Sequence, residues 1–261
     1  MNILFIGDIV GRPGRTALKN AIGILKEKYS AEIVIANGEN ASGGLGITPK
    51  IVDELSAAGV DIFTSGNHIW KRRDIFPLLD GPKIIRPANY PPSAPGKGWT
   101  IIKSGQYRIG VINLIGRTFM EALDSPFTVA DRVIEEIGSS ADFLIVDIHA
   151  EATSEKIALG YYLDGRVAAV LGTHTHVQTS DAKILQGGTA YITDAGMTGS
   201  SKGVIGVEKE EIIKRFITGL PFTFKVAKGG EEVQGVAITL AEGGRAKSIS
   251  SFRFPVEIER R

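Results

Sequence analysis

The chain has 261 residues, and its 43% hydrophobic content is enough to build the buried core of one large α/β domain. Thirty basic and 29 acidic residues leave a net charge of +1, which excludes strong electrostatic attraction to nucleic acids, acidic polymers or a membrane surface. The chain contains no cysteine, which excludes disulfides, thiolate metal sites and cysteine nucleophiles and suits a reducing, cytoplasmic location.

Short apolar runs rich in β-branched residues recur through the first two-thirds of the chain and predict strands buried on both faces. The predicted strands are Ile3 to Ile6, Ile33 to Ala36, Asp61 to Thr64, Ile109 to Asn113, Phe143 to Ile148 and Ala168 to Leu171. Helical periodicity between several of them predicts helices at Thr16 to Lys28, Pro49 to Ala58 and Pro126 to Ile137. This alternation implies a mostly parallel, layered α/β sheet. The first run is too short for a secretion signal, and no run reaches the roughly 20 apolar residues of a membrane span.

Two of the predicted helices carry matching start signals. Thr48 precedes Pro49 and Ser125 precedes Pro126, so each helix has a hydroxyl residue ahead of a proline at its first position. We therefore expect side-chain capping at both helix starts.

The last part of the chain has alternating apolar and polar residues, which predicts an antiparallel segment. The predicted strands are Thr223 to Ala227, Glu232 to Leu240 and Lys247 to Phe254. Because such a short segment would bury only one face alone, we expect it to pack beside the main sheet. The sequence thus predicts a single domain over residues 1–261.

All four histidines directly follow predicted strands. His68, His149 and the pair His174 and His176 each stand in a short polar cluster. Ligands of layered α/β sheets bind beyond the carboxyl ends of the strands, so these imidazoles are expected to converge.

Carboxylate and amide side chains occupy equivalent positions. Asp8 follows the first predicted strand, Glu39 and Asn40 follow the second, and Asn67 follows the third. Imidazoles, carboxylates and amides together suit iron, manganese or zinc, and the donors suffice for two ions. The sequence therefore predicts a metal site, with a polar loop network at the sheet edge as the alternative.

Five short motifs occur in order, each after a predicted strand: Gly7-Asp8, Gly38-Glu39-Asn40, Gly66-Asn67-His68, His149 and Gly172-Thr173-His174-Thr175-His176. Together they resemble the motifs of the calcineurin-like metallophosphoesterases. The resemblance implies an α/β fold, a layered metallophosphoesterase-like sandwich with mixed sheets, here finished by the antiparallel C-terminal segment.

Departures from the common pattern resemble the YmdB-like subgroup: Val10 replaces a usual histidine, Glu39 replaces a bridging aspartate, and Ile69 stands where an acid is common. The subgroup resemblance implies two metal ions bridged by Glu39. It assigns Asp8, Asn40 and His176 to one ion and Asn67, His149 and His174 to the other.

Such a metal pair implies attack on a phosphate by a metal-bridging hydroxide, without a protein nucleophile. The departing alkoxide needs a proton, and His68, beside the ligand Asn67, is the expected general acid because imidazole exchanges protons near neutral pH. The alternative is that His68 only orients a ligand.

The subgroup resemblance also implies phosphodiesterase activity on cyclic nucleotides, with 2′,3′-cyclic nucleotides favoured and iron or manganese as cofactors. The near-neutral charge fits a small-molecule phosphodiester substrate better than a long nucleic acid. No membrane partner is expected, and a homo-oligomer is compatible with the sequence. The alternative is a metal-binding regulatory protein with weak or vestigial phosphoesterase activity.

Two other enzyme classes fit the sequence poorly. The glycine-rich turn after the first strand differs from the G-x-G-x-x-G fingerprint of dinucleotide-binding proteins. Asp8 occupies the tight turn, and Pro13 disrupts the segment that would approach the pyrophosphate. The segment Gly199 to Gly203 matches G-x-S-x-G, but no histidine follows His176, as a serine hydrolase of that type requires.

Overall fold

The computed structural model describes residues 1–221 and 223–257, so residue 222 and the end of the predicted domain, residues 258–261, lie outside the described residues. The α-helices are α1 (Gly11–Tyr29), α2 (Pro49–Ala58), α3 (Pro126–Ile137), α4 (Thr153–Tyr162) and α5 (Lys209–Thr218). The strands are β1 (Asn2–Ile6), β2 (Asp8–Ile9), β3 (Ile33–Asn37), β4 (Ile62–Thr64), β5 (Trp99–Ser104), β6 (Tyr107–Ile115), β7 (Phe143–His149), β8 (Ala169–Thr173), β9 (Lys183–Ile184), β10 (Ala190–Ile192), β11 (Met197–Ser200), β12 (Glu231–Leu240) and β13 (Ala246–Pro255). Within the described part of the chain, none of the helices is both long enough and apolar enough to span a membrane.

The strands form two mixed sheets. The first sheet has the order β2-β11-β12-β1-β3-β4, with β13 also paired to β12, and the second has the order β5-β6-β7-β8-β10-β9. In the first sheet β1, β3 and β4 run parallel, whereas β12 runs antiparallel to β1. In the second sheet β6, β7, β8 and β10 run parallel. The predicted layered α/β sandwich with mixed sheets is confirmed.

The two sheets pack face to face between two layers of helices. Side chains alternate along β1, so Ile3 and Phe5 enter the core cluster between the sheets, whereas Leu4 and Ile6 pack toward α1 and α2. The outer face of the second sheet packs against α3 and α4. Burial on both faces explains why the strands are continuous apolar runs in the sequence.

The six strands predicted in the first two-thirds of the chain correspond to β1, β3, β4, β6, β7 and β8. The predicted helix at Thr16 to Lys28 is confirmed as α1, but α1 begins earlier, at Gly11. Pro13 lies in its first turn, where the absence of a backbone N–H does not cost a helical hydrogen bond.

The starts of α2 and α3 are at the prolines, as predicted, but the capping expectation was wrong. Neither Thr48 nor Ser125 makes a side-chain cap hydrogen bond. At α3 the Thr128 hydroxyl instead donates to the Ser125 carbonyl. A cap residue in the right position therefore did not supply the predicted contact.

The antiparallel C-terminal segment is confirmed, with two corrections. β12 lies inside the first sheet, hydrogen-bonded to β1, rather than beside the sheet. The predicted strand at Thr223 to Ala227 is absent from the described residues 223–227, where only Val226 forms an isolated bridge, to Val207. An alternating pattern indicates which side chains share a face, but a strand also needs a partner along its length.

Candidate metal centre

The predicted site residues meet where parallel strands of both sheets end. Asp8 follows β1, His149 is the last residue of β7, and the others lie just beyond β3, β4 and β8. The residues brought to this edge are Asp8, Glu39, Asn40, Asn67, His68, His149, His174 and His176. Two cavities of about 260 and 270 Å³ meet at His174.

Glu39, His149 and His174 form the tightest group. Glu39 Oε1 lies 3.1 Å from His149 Nε2, and His149 Nε2 lies 3.0 Å from His174 Nδ1. One ligand atom from each residue lies within 4.8 Å of the other two, the spacing that one metal ion requires. Gly66 lacks the side chain that would overlap the His149 ring and the Glu39 carboxylate, which explains the glycine in its motif.

Three of the histidines each have one ring nitrogen bonded to a group outside the centre. These outer contacts are His149 Nδ1 to Thr173 Oγ1 (2.9 Å), His174 Nε2 to Glu151 Oε2 (3.2 Å) and His176 Nδ1 to the Ile205 carbonyl (2.9 Å). These outer contacts leave the other ring nitrogen of each histidine facing the centre, as in metal-binding histidines.

The tautomer of His149 is fixed by a buried chain of hydrogen bonds. The Thr173 hydroxyl donates to Asp147 Oδ1 at 2.7 Å, so its oxygen accepts from His149 Nδ1–H. Asn37 donates to the other Asp147 oxygen at 3.1 Å. Burial raises the pKa of Asp147 to about 6. The roles of Thr173 and Asn37 could not be predicted from the sequence, because a polar residue within a strand does not indicate which distant side chain it will contact.

Two buried oxygen acceptors of the centre, Asp8 Oδ1 and Asn67 Oδ1, lack hydrogen-bond partners among the described residues. His149 Nε2 and His174 Nδ1 lie beside them and beside the Glu39 carboxylate, and each can offer a lone pair when it carries no proton. Unpaired buried acceptors are costly, and a cation would satisfy all of them. The side chains present therefore fit a metal ion.

Asn40 is oriented differently from the predicted ligand. Its oxygen contacts His68 Nδ1 at 2.7 Å, and its amide nitrogen lies 3.1 Å from both Glu39 Oε1 and His176 Nε2. A metal ligand must offer the oxygen, so Asn40 could bind an ion here only after its amide turns over.

Electrostatics keep both carboxylates of the centre ionised. Burial alone would raise the pKa of Glu39, but the charge of His149 and hydrogen bonds from His149 and His68 hold it well below its ordinary value. Burial alone would also raise the pKa of Asp8, but the nearby His176, whose Nε2 lies 3.7 Å from Asp8 Oδ1, and its charge lower that pKa below its ordinary value. The resulting buried negative charge favours a cation.

Two histidines in the centre have opposite shifts. Burial, followed by the charge of His149, lowers the pKa of His174 to about 3, so His174 is neutral and can offer a lone pair. Burial would also lower the pKa of His176, but its contact with Asp8 raises that pKa to about 9. The buried Asp8 carboxylate thus favours a positive charge on His176, as it would favour a metal ion in the same place.

The turn that carries His174 and His176 has an unusual backbone. Both residues have positive φ angles, 98° and 63°, which are costly for side chains other than glycine. The turn is held from beneath by the fully buried Lys156, whose Nζ donates to the Thr173 carbonyl at 2.7 Å and to Asp194 Oδ2 at 2.8 Å. The same Asp194 oxygen accepts from the backbone N–H and the hydroxyl of Thr175.

The two mixed sheets between helix layers, with an imidazole and carboxylate centre at the strand ends, define a metallophosphoesterase-type α/β protein. The model of the family described as YmdB-like protein matches residues 4–252, and the chain belongs to that family. The fold and the family together imply divalent metal ions in the centre.

Relatives of this chain resemble it over nearly its whole length. It is 52% identical to the 2′,3′-cyclic-nucleotide 2′-phosphodiesterase of Bacillus subtilis (strain 168), over 92% of this chain and 91% of that protein. A crystal structure of a hypothetical protein from Thermus thermophilus has a TM-score of 0.92 at 44% identity and covers 98% of this chain and 99% of its own. The crystal structure of a novel phosphatase from Mycoplasma pneumoniae also has a TM-score of 0.92, at 33% identity, with coverage of 98% and 93%.

Proposed function

We propose that this chain is a metal-dependent phosphodiesterase that hydrolyses 2′,3′-cyclic nucleotides, with residues 1–261 acting as one metallophosphoesterase domain. The observation that carries the proposal is the group of inward-facing acceptors at Glu39, His149 and His174, in a chain 52% identical to a relative named for this activity. The cavity beside this group, about 260 Å³, suits a small diester rather than a polymer.

Two transition-metal ions would be held in the proposed centre, and Glu39 would contribute to binding both. Asp8 and His176 would bind one ion, joined by Asn40 once its amide has turned, and the other ion would be bound by Asn67, His149 and His174. When bound, the two ions would activate a water molecule and neutralise charge on the phosphate oxygens. Iron or manganese is favoured over magnesium, because imidazole nitrogen suits these metals better than a hard cation that prefers oxygen.

Purified protein is expected to contain close to two iron or manganese ions per chain, because the unpaired oxygen of Asp8 and the ring of His176 are donors outside the group of Glu39, His149 and His174. Elemental analysis after growth with each metal measures the ratio. Loading that never exceeds one ion would contradict the two-ion centre, whereas two zinc ions would change only the identity of the metal.

His68 is the proposed general acid. Its ring lines the cavity, and its Nδ1 donates to the Asn40 oxygen at 2.7 Å while also lying 3.3 Å from Glu39 Oε1. The Asn40 contact would be lost when that amide turns, but the contacts of the His68 ring and backbone N–H with Glu39 would remain to position the ring. A positioned imidazole of this kind can deliver a proton to the departing ribose oxygen.

His68→Ala is expected to retain its metal and to lose roughly 10²- to 10⁴-fold in turnover of a cyclic nucleotide, because the alkoxide then leaves without a proton. The loss should be much smaller for a nitrophenyl diester, whose phenolate departs unprotonated. His68→Asn serves as a matched variant that keeps a polar side chain of similar reach. Equal losses for both esters together with lost metal would instead make His68 a positioning residue.

A substrate panel tests the proposed function. The metal-loaded protein is assayed on 2′,3′-cyclic and 3′,5′-cyclic nucleotides, a dinucleotide and simple monoesters under identical conditions. Hydrolysis of the 2′,3′-cyclic nucleotides with the highest kcat/KM is the expected result. Preference for monoesters would overturn the diesterase assignment, and metal binding without any hydrolysis would favour a regulatory protein with a vestigial site.

A further inference from the structure

The cavity beside the metal centre has one side that the proposed chemistry does not use. Its polar side is formed by Glu39, Asn40, His68, Glu151, His174, Thr175 and His176. Its apolar lining side chains are Ile205, Val207 and Phe224, which we call the apolar wall. Phe224 keeps 37% of its surface exposed, although large apolar side chains are mostly buried elsewhere in the described residues.

The Phe224 ring is held in place rather than free. Backbone hydrogen bonds tie its segment to the preceding turn, from Glu208 N–H to the Lys225 carbonyl and from Ala227 N–H to the Gly206 carbonyl, each at 2.9 Å. The ring lies so close to the Gly44 backbone that any side chain at Gly44 would overlap it. A ring already fixed before binding loses little conformational entropy when a ligand stacks on it.

Ile205 connects the apolar wall to the metal centre. Val204 and Val207 exchange two backbone hydrogen bonds across a two-residue turn in which Ile205 and Gly206 both have positive φ, 46° and 90°. Such turns favour asparagine or glycine at the first position, so a β-branched isoleucine is strained there. The strained backbone directs the Ile205 carbonyl to His176 Nδ1 at 2.9 Å while its side chain contributes to the wall.

We propose that Phe224 stacks on the base of the nucleotide and thereby determines specificity for nucleotides over base-free phosphodiesters; this inference rests on the proposed function. A phosphate at the metal centre leaves the ribose and base in the remaining cavity, facing the apolar wall. An aromatic ring binds the π-face of any base without directional hydrogen bonds. The wall should therefore accept purines and pyrimidines alike.

A second aromatic residue near the centre provides the natural comparison. Phe119 lines the other cavity with Asn67 and His174, but 89% of its surface is exposed and its φ is 62°. Because so much of its surface is exposed, the Phe119 ring has little packing against the described residues, and a stacked base would have to order it at a larger entropic cost. Phe224 is thus the better stacking platform of the two.

The test compares two substrates and three variants. The substrates are 2′,3′-cyclic AMP and the 2′,3′-cyclic phosphate of methyl ribofuranoside, which has the same ribose and phosphate but no base. Phe224→Ala is expected to lower kcat/KM for the nucleotide roughly 5- to 150-fold, the range for one stacked base. The same variant should keep kcat/KM for the base-free substrate within about twofold of the unchanged protein. Phe224→Tyr should retain most of the activity on the nucleotide. Phe119→Ala should lower kcat/KM for neither substrate.

Binding of the product supplies a second readout that does not need turnover. Calorimetry with adenosine 3′-monophosphate should show weaker binding to Phe224→Ala than to the unchanged protein, whereas the 3′-phosphate of methyl ribofuranoside should bind both equally. Equal effects with and without the base, or selective losses in Phe119→Ala, would overturn the assignment of Phe224. If the unchanged protein hydrolyses neither cyclic substrate, the proposed function fails, and the calorimetric comparison still decides whether Phe224 binds a base.

Discussion

Glu39→Gln is expected to lower turnover of 2′,3′-cyclic AMP more than about 100-fold, beyond the effect typical of residues that only support a metal ligand. Glu39 is fully buried, and its Oε1 lies 3.1 Å from His149 Nε2 and 3.3 Å from His68 Nδ1. The amide removes the negative charge that balances the cations and can place an N–H against the inward lone pair of His149. Metal binding should fall with activity.

The measurement combines turnover with elemental analysis of the same preparation. Glu54→Gln is the matched control, because Glu54 forms its ion pairs with Arg15 and Lys19 between α1 and α2 and is not one of the residues of the centre. It should keep both its metal and its activity. A Glu39→Gln protein that retained two ions and near-normal turnover would show that Glu39 is not the bridging ligand.

The fold was predictable where a local sequence pattern is compatible with only one type of structural element. Parallel strands covered on both faces leave continuous apolar runs, so β1, β3 and β7 could be recognised from the sequence. Polar residues that end such runs lie at the carboxyl ends of the strands, where ligands of α/β sheets bind, so Asp8 and His149 were expected to converge, although β1 and β7 belong to different sheets.

Other features depend on partners distant in the chain and could not be predicted in this way. Lys156 reads as an ordinary solvent-facing lysine, and only the fold brings it to Asp194, 38 residues away. The segment around Phe224 alternates like a strand, yet its hydrogen bonds go to a turn. The orientation of the Asn40 amide is also set by contacts with His68 and His176, which local sequence does not specify.

Lys156→Met is expected to destabilise the fold by about 3–5 kcal/mol, because it leaves the buried Asp194 carboxylate without its charged partner. This is a large share of a free energy of unfolding of about 5–15 kcal/mol. The lost ammonium also frees the Thr173 carbonyl, so the strained turn carrying His174 and His176 should relax and turnover should fall as well.

Urea unfolding with excess chelator measures this effect without a contribution from bound metal. Lys156→Met combined with Asp194→Asn removes both charges and should regain most of the lost stability, since a buried pair can often be replaced without cost while a single buried charge cannot. Turnover of that double variant should stay low, because the Thr173 carbonyl still lacks its donor.

Lys50→Met, a change at an exposed lysine on α2, is the control and should shift the free energy of unfolding by less than about 0.5 kcal/mol. If Lys156→Met unfolded within about 1 kcal/mol of the unchanged protein, less than the usual cost of breaking a buried pair, the Lys156–Asp194 contact would not be what holds the histidine turn in place.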